Sequence, residues 1–151
     1  MITLHESTEM SFTTNGLGAL SDAIICEVTE ERNGEFELEM EYPVTGIRYK
    51  ELQLRRIIMA KPNPYSDPQP FRIYAITKPI NGIVTINAEH ISYDMSGYPV
   101  SAFAADTVQN AFINMKSASA VDCPFLFSTD KITTANMTVL KPSSMRSLLG
   151  G

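Results

Sequence analysis

The 151-residue chain has no tryptophan, two cysteines and two histidines. Without Trp there is no indole platform for a sugar ring, which counts against a carbohydrate-binding module. Two cysteines make no disulfide framework, and with two histidines a zinc site would have to be assembled from residues far apart in sequence. Cys26 shares the apolar side of a strand pattern, and Cys123 sits in "VDCPFLF". Both are expected to be free, buried thiols. The sequence contains no Gly-rich phosphate loop, HExxH, GxSxG or CxxC motif, and no cofactor is expected. Lysine and arginine total 12 against 17 aspartates and glutamates, a net charge of −5. That balance argues against a surface for nucleic acid, which would be basic. No apolar run approaches the ~18 residues of a membrane span. The start "MITLHESTEM" lacks a basic stretch followed by an apolar one, so neither a membrane anchor nor a classical secretion signal is expected.

What the chain does have is alternation. In "GEFELEMEYPVTG" (34–46), Glu35, Glu37, Glu39 and Glu41 alternate with Phe36, Leu38, Met40 and Tyr42. A period of two is the signature of a half-buried strand, whose successive side chains point to opposite faces. Same-face carboxylates about 7 Å apart repel by roughly 0.6 kcal/mol per pair in water, a cost a solvated strand tolerates. The preceding "AIICEVTEERN" completes a hairpin, with Arg32, Asn33 and Gly34 in a three-residue turn and Gly34 at the left-handed position. Ile24, Cys26 and Val28 meet the apolar side of the second strand only if paired residue numbers have an even sum. Those registers also bring Glu27 to the glutamate face. Seven of the seventeen acidic residues lie between Glu27 and Glu41. Like charges opposed across strands destabilise the pair, so either neighbouring strands supply Arg55, Arg56 or Arg72, or the face is acidic for a purpose.

Around this hairpin, "MITLHE" can form a first strand and "TTNGLGALS" reads as a turn-rich link. Further strands are expected at 56–61, 71–77 and 82–92, with Pro-rich "KPNPYSDPQP" as a stiff loop and Asn81-Gly82 as a tight turn. The hairpin pair and these three further strands, five with no helix between them in the first ninety residues, argue for an antiparallel sheet or barrel. Beyond residue 100, Val108, Ala111, Phe112 and Met115 fall on one side of a helix capped by Asp106 or Thr107. "PFLFSTD" and "NMTVLK" read as short strands, and "SSMRSLLGG" as the opening of a second helix capped by Ser143 or Ser144. An ending on two glycines reads as a truncation.

Chemistry has few places to reside. His90 shares a strand face with Val84, Ile86 and Ala88 and reads as a core or edge histidine. His5, beside Glu6 near an N-terminus expected to be exposed, could join a metal or acid–base site but is weighed as a minor candidate. Asp94 and the glutamate row could be imagined as glycosidase carboxylates, yet a uniform acidic stripe lacks the one apolar-embedded acid that such chemistry needs. Val108, Phe112 and Met115 read as core before cofactor pocket.

The "EFELEMEYP" strand, the "KPNPYSDPQPFRIY" loop and strand, the "AEHISYD" segment and the terminal "MRSLLGG" together resemble the N-terminal region of phage minor structural proteins of Gram-positive hosts. These are the tail-tip baseplate hub proteins, also labelled tail-associated lysins or prophage tail endopeptidases. The resemblance implies a mainly β (α+β) chain, with an antiparallel β-barrel-like tube domain carrying a small α+β insertion. Residues 1–100 would form most of the tube domain, 101–140 an outer insertion with the helix, and 141–151 the start of a return segment. The closing strands would lie beyond Gly151. It further implies a structural role at the virion tail tip: a homotrimer that closes the tail tube, docks on the distal tail protein and meets the tape-measure protein. Any lytic activity would sit downstream, so no catalytic residue is expected here. Glu35, Glu37, Glu39 and Glu41 then become candidates for a lumen-facing acidic stripe, past which DNA would slide without sequence-specific binding; the alternative is an outer solvent face, or pairing with Arg55, Arg56 or Arg72. The competing readings are a cell-wall peptidase or glycosidase segment, and a receptor- or carbohydrate-binding module.

Overall fold

The computed structural model describes residues 1–32, 34–131 and 133–150. It divides into two units, one of Met1–Ile91 and one that begins at Ser92.

The first unit is a seven-stranded antiparallel sheet curled into a half-barrel. Its strands are β1 (Thr3–His5), β2 (Gly18–Ala19), β3 (Ile25–Glu30), β4 (Phe36–Pro43), β5 (Ile57–Ala60), β6 (Gln69–Ile76) and β7 (Ile83–His90), in the spatial order β2-β1-β5-β6-β7-β4-β3. The hairpin β3–β4 has Cys26 opposite Met40 and Val28 opposite Leu38, the even-sum register that alternation requires. Glu31 donates its amide to the Glu35 carbonyl at the hairpin's end, while the turn expected there falls on Asn33, outside the described residues. At the β6–β7 connection, Ile80 and Ile83 exchange backbone bonds around Asn81 (φ 51°) and Gly82 (φ 78°). Two successive positive φ values are those of a two-residue turn whose twist matches the flanking strands, which is why Asn-Gly signals it. The expected turn-rich link at 13–21 instead contains β2, a two-residue edge strand on β1. Its glycine concealed it, because Gly18 holds φ 129° and carries no side chain whose periodicity could be read.

One sheet face forms the core. Leu38, Met40, Tyr42, Ile58, Phe71, Ile73, Val84, Ile86 and Ala88 are buried there, and Leu20 and Leu52 from the connections pack against them. Each such large aliphatic or aromatic side chain contributes about 1.5–3 kcal/mol by leaving water.

The second unit holds two short ribbons and two helices. β8 (Pro99–Val100) pairs with β11 (Ser143–Ser144), and β9 (Phe103–Thr107) with β10 (Thr134–Val139). Helix α1 (Val108–Ser117) is capped by Thr107, whose side chain accepts from the Asn110 amide. Ser144 caps α2 (Met145–Leu148) in the same way through Ser147. The core is Val100, Met115, Cys123 and Met145, with Tyr98, Phe103, Phe112 and Phe125 packed around it. "PFLFSTD" does not form the expected strand: residues 124–130 join no ladder among the described residues. Their alternation is explained otherwise, since Phe125 packs edge-on to Tyr98, Phe127 lies against Phe112, and the Phe125 carbonyl accepts from Lys116 Nζ. Side-chain packing alone produces the period of two there.

Candidate functional site

The face of the half-barrel opposite the core is acidic, and the strand registers place its carboxylates. Glu27 on β3 lies directly opposite Glu39 on β4, which faces Asn87 on β7. One row along, Thr29 faces Glu37, Glu37 faces Glu89, and Glu89 faces Arg72 on β6. In the other direction Ile25 faces Glu41, and Glu41 faces Thr85. Glu35 extends the stripe at the end of the hairpin. Glu35 and Glu39 are exposed, and Glu37 and Glu41 are half-buried. Directly opposed carboxylates about 6 Å apart repel by roughly 0.7 kcal/mol in water, so the Glu27–Glu39 pair is a net cost to the hairpin.

Alternation in the sequence puts four of these glutamates and Glu27 on one face but does not bring Glu89 or Tyr74 to it. The alternation of Val84, Ile86, Ala88 and His90 on the core face already put Glu89 on the other. What sequence could not supply was the neighbour, because β4 and β7 are joined side by side across some forty intervening residues. Tyr74 reaches the site through an irregularity: the β6–β7 register shifts between Ile73 and Ala75. A bulge of this kind re-aims a side chain. The Tyr74 hydroxyl donates to Glu37 Oε2 at 2.9 Å. Its pKa is pushed up to about 12, first by desolvation and then by the Glu37 hydrogen bond and the charges of Glu37, Glu89 and Glu35.

Of the arginines expected as partners, Arg72 stands cross-strand from Glu89 at the edge of the acidic face. Arg56 reaches Glu6 at 3.2 Å. Arg72 is buried and donates to the carbonyls of Ser7 and Arg55. Both tie the residues after β1 to the sheet.

The chain matches no family model, no curated protein and no solved structure.

The remaining candidates are placed as follows. His5 is not near an exposed terminus: β1 is flanked by β2 and β5, and the imidazole is 1% exposed. It contacts Thr3 Oγ1 at 2.9 Å and Glu9 Oε1 at 3.0 Å and meets the edge of Phe12. Among the described residues no group of three His, Cys, Asp or Glu side chains is placed to hold a metal ion. His90 is stacked on Phe36, with centroids 4.3 Å apart, and lies edge-on to Phe71, closing one end of the core. Asp94 lies half-buried in a 3-10 turn (Ile91–Gly97). The helix residues Val108, Phe112 and Met115 line a hollow of about 110 Å³, and Phe112 also borders an open groove of about 500 Å³ with Gln109, Ile113 and Lys116. Both cysteines are free, and burial pushes the Cys26 thiol up to about 11. A thiol so shifted stays protonated at neutral pH and is a poor nucleophile.

Proposed function

We propose that this chain is a structural part of a phage or prophage tail tip, the hub segment that closes the tail tube and docks on the distal tail protein. On this reading it acts as a homotrimer, in contact with the tape-measure protein, and carries no catalytic centre of its own. The observation that carries the proposal is the pairing of an antiparallel curled sheet with an acidic face spread over three adjacent strands. That support joins the "EFELEMEYP" and "QPFRIY" segments, which fall on β4 and β6, and the "AEHISYD" segment, whose first three residues end β7 and whose last four lie in the 3-10 turn that follows.

In the hub, Glu35, Glu37, Glu39 and Glu41 face the lumen or its rim. A negative wall repels phosphate and offers DNA no counterion-releasing contacts, the inverse of a nucleic-acid-binding surface. The residues from 101 to 140, with α1, form the outer insertion of the tube domain.

The test begins with tail particles purified from a lysate of the source strain. Mass spectrometry should find this chain's peptides in the tail fraction, at trimer stoichiometry. Recovery only as a free protein, or cell-wall clearing by the purified chain, would overturn the proposal. Particles with the four glutamates changed to lysine should assemble yet release DNA more slowly. A hub reconstruction with these carboxylates on the outer wall would remove the luminal role.

A further inference from the structure

The half-barrel ends at β3, whose only ladder among the described residues is with β4. In an antiparallel pair, residues alternate between bonding the neighbour strand and pointing their N–H and C=O groups away from it. The Glu31 amide bonds the Glu35 carbonyl, and counting back in steps of two directs Ile25, Glu27 and Thr29 toward β4. Cys26, Val28 and Glu30 therefore turn their backbone groups to the open edge. Apolar area is also unspent there. Cys26 and Val28 face the core but are only half-buried, and Ile24 and Ile25 are 52% and 46% exposed.

We infer that the β3 edge is a docking site for a basic β-strand of a partner protein, which pairs with Cys26, Val28 and Glu30 and extends the sheet. Charge decides the occupant. Glu27 stands on one face of the edge strand and Glu30 on the other, with Glu37 and Glu39 one strand behind. A second copy of β3, whose residues Ile25–Glu30 include no lysine or arginine, has nothing basic to set against Glu27 and Glu30 and leaves the charge of the edge uncompensated. A strand with lysine or arginine opposite Glu27 and Glu30, and apolar residues opposite Cys26 and Val28, relieves that repulsion and covers the exposed core rim. Main-chain bonds then supply affinity and the alternating side chains supply selection, as in other cases of strand addition to a sheet edge. The inference stands on the edge alone and does not depend on the tail-tip reading.

The test uses the full chain and two blocked peptides, KTVKVT and ETVEVT, followed by amide hydrogen exchange and NMR titration. KTVKVT should slow exchange at Cys26, Val28 and Glu30, with affinity falling as NaCl is raised, while ETVEVT should leave these amides unchanged. Glu27→Lys also relieves the opposition to Glu39 and so should remain folded; it should weaken KTVKVT by about fivefold, in the range of an exposed charge pair. Val28→Pro, which deletes one outward N–H, should abolish the protection. Absence of protection by KTVKVT, equal protection by both peptides, or protection confined to other strands would overturn the inference.

Discussion

At the scale of single residues, the connection after β4 is fixed by a small polar knot. The Tyr42 hydroxyl donates to Asp22 Oδ2 at 3.2 Å and accepts from the Arg48 amide at 3.3 Å, while Asp22 also accepts from the Ile47 amide at 2.8 Å. The Tyr42 ring lies against Gly46, where a Cβ would overlap Cε1 of the ring. Tyr42 is fully buried and cannot yield cheaply. Gly46→Ala should therefore destabilise the protein by about 1–3 kcal/mol, read as a lower urea midpoint at unchanged slope. Cys26 gives a second prediction with a defined sign. Its thiol titrates near 9 when unfolded and is raised to about 11 in the fold, because burial disfavours the thiolate. The folded state thus holds the proton more tightly, and this contribution is intact below pH 9 and lost as pH rises from about 9 to about 11. In Cys26→Ala, the fall in urea midpoint over that interval should be shallower than in the parent. Equal pH profiles would show that the thiol contributes nothing.

At the scale of elements, the hairpin β3–β4 is stabilised by one face and penalised by the other. Cys26 and Val28 against Met40 and Leu38 build core, while Glu27 against Glu39 brings like charges together. Glu27→Lys turns that opposition into attraction. It should stabilise the chain by roughly 0.5–1 kcal/mol at low salt, with the gain shrinking toward zero in 1 M NaCl as the charges are screened. A salt-independent gain would point to propensity rather than charge. This hairpin was legible in sequence because its period of two runs unbroken over eight residues and fixes both register parity and the acidic face. So were the Asn81-Gly82 turn and the Thr107 cap of α1, where local chemistry dictates backbone geometry. The illegible pieces were those whose cause is non-local. β2 is a strand only because β1 lies beside it, and residues 124–130 are not one because none of the described residues pairs with them. Tyr74 joins the acidic site through a bulge that leaves no mark in the sequence. His5 looked terminal, but two neighbouring strands bury it.

At the scale of the whole molecule, the strand order β2-β1-β5-β6-β7-β4-β3 departs most from chain order where β4 sits between β7 and β3. That crossover makes residues 36–43 the centre of contacts from distant parts of the chain, so the first unit cannot be assembled from local hairpins alone. Its core of thirteen buried side chains is contributed wholly by residues before 92. Ninety-odd residues with a single core exceed the roughly 40–60 residues below which domains need disulfides or metals to fold. The segment 1–91 should therefore fold by itself, with the β-rich circular dichroism of the parent and one cooperative urea transition. Its refolding should be slow for its size, since β4–β7 pairing closes a long loop before any contact rewards it. Leu38→Ala, at the middle of β4 and 1% exposed, should cost about 2–5 kcal/mol in this fragment. A fragment that stays disordered, or melts without cooperativity, would show that the half-barrel depends on residues after Ile91 for its fold.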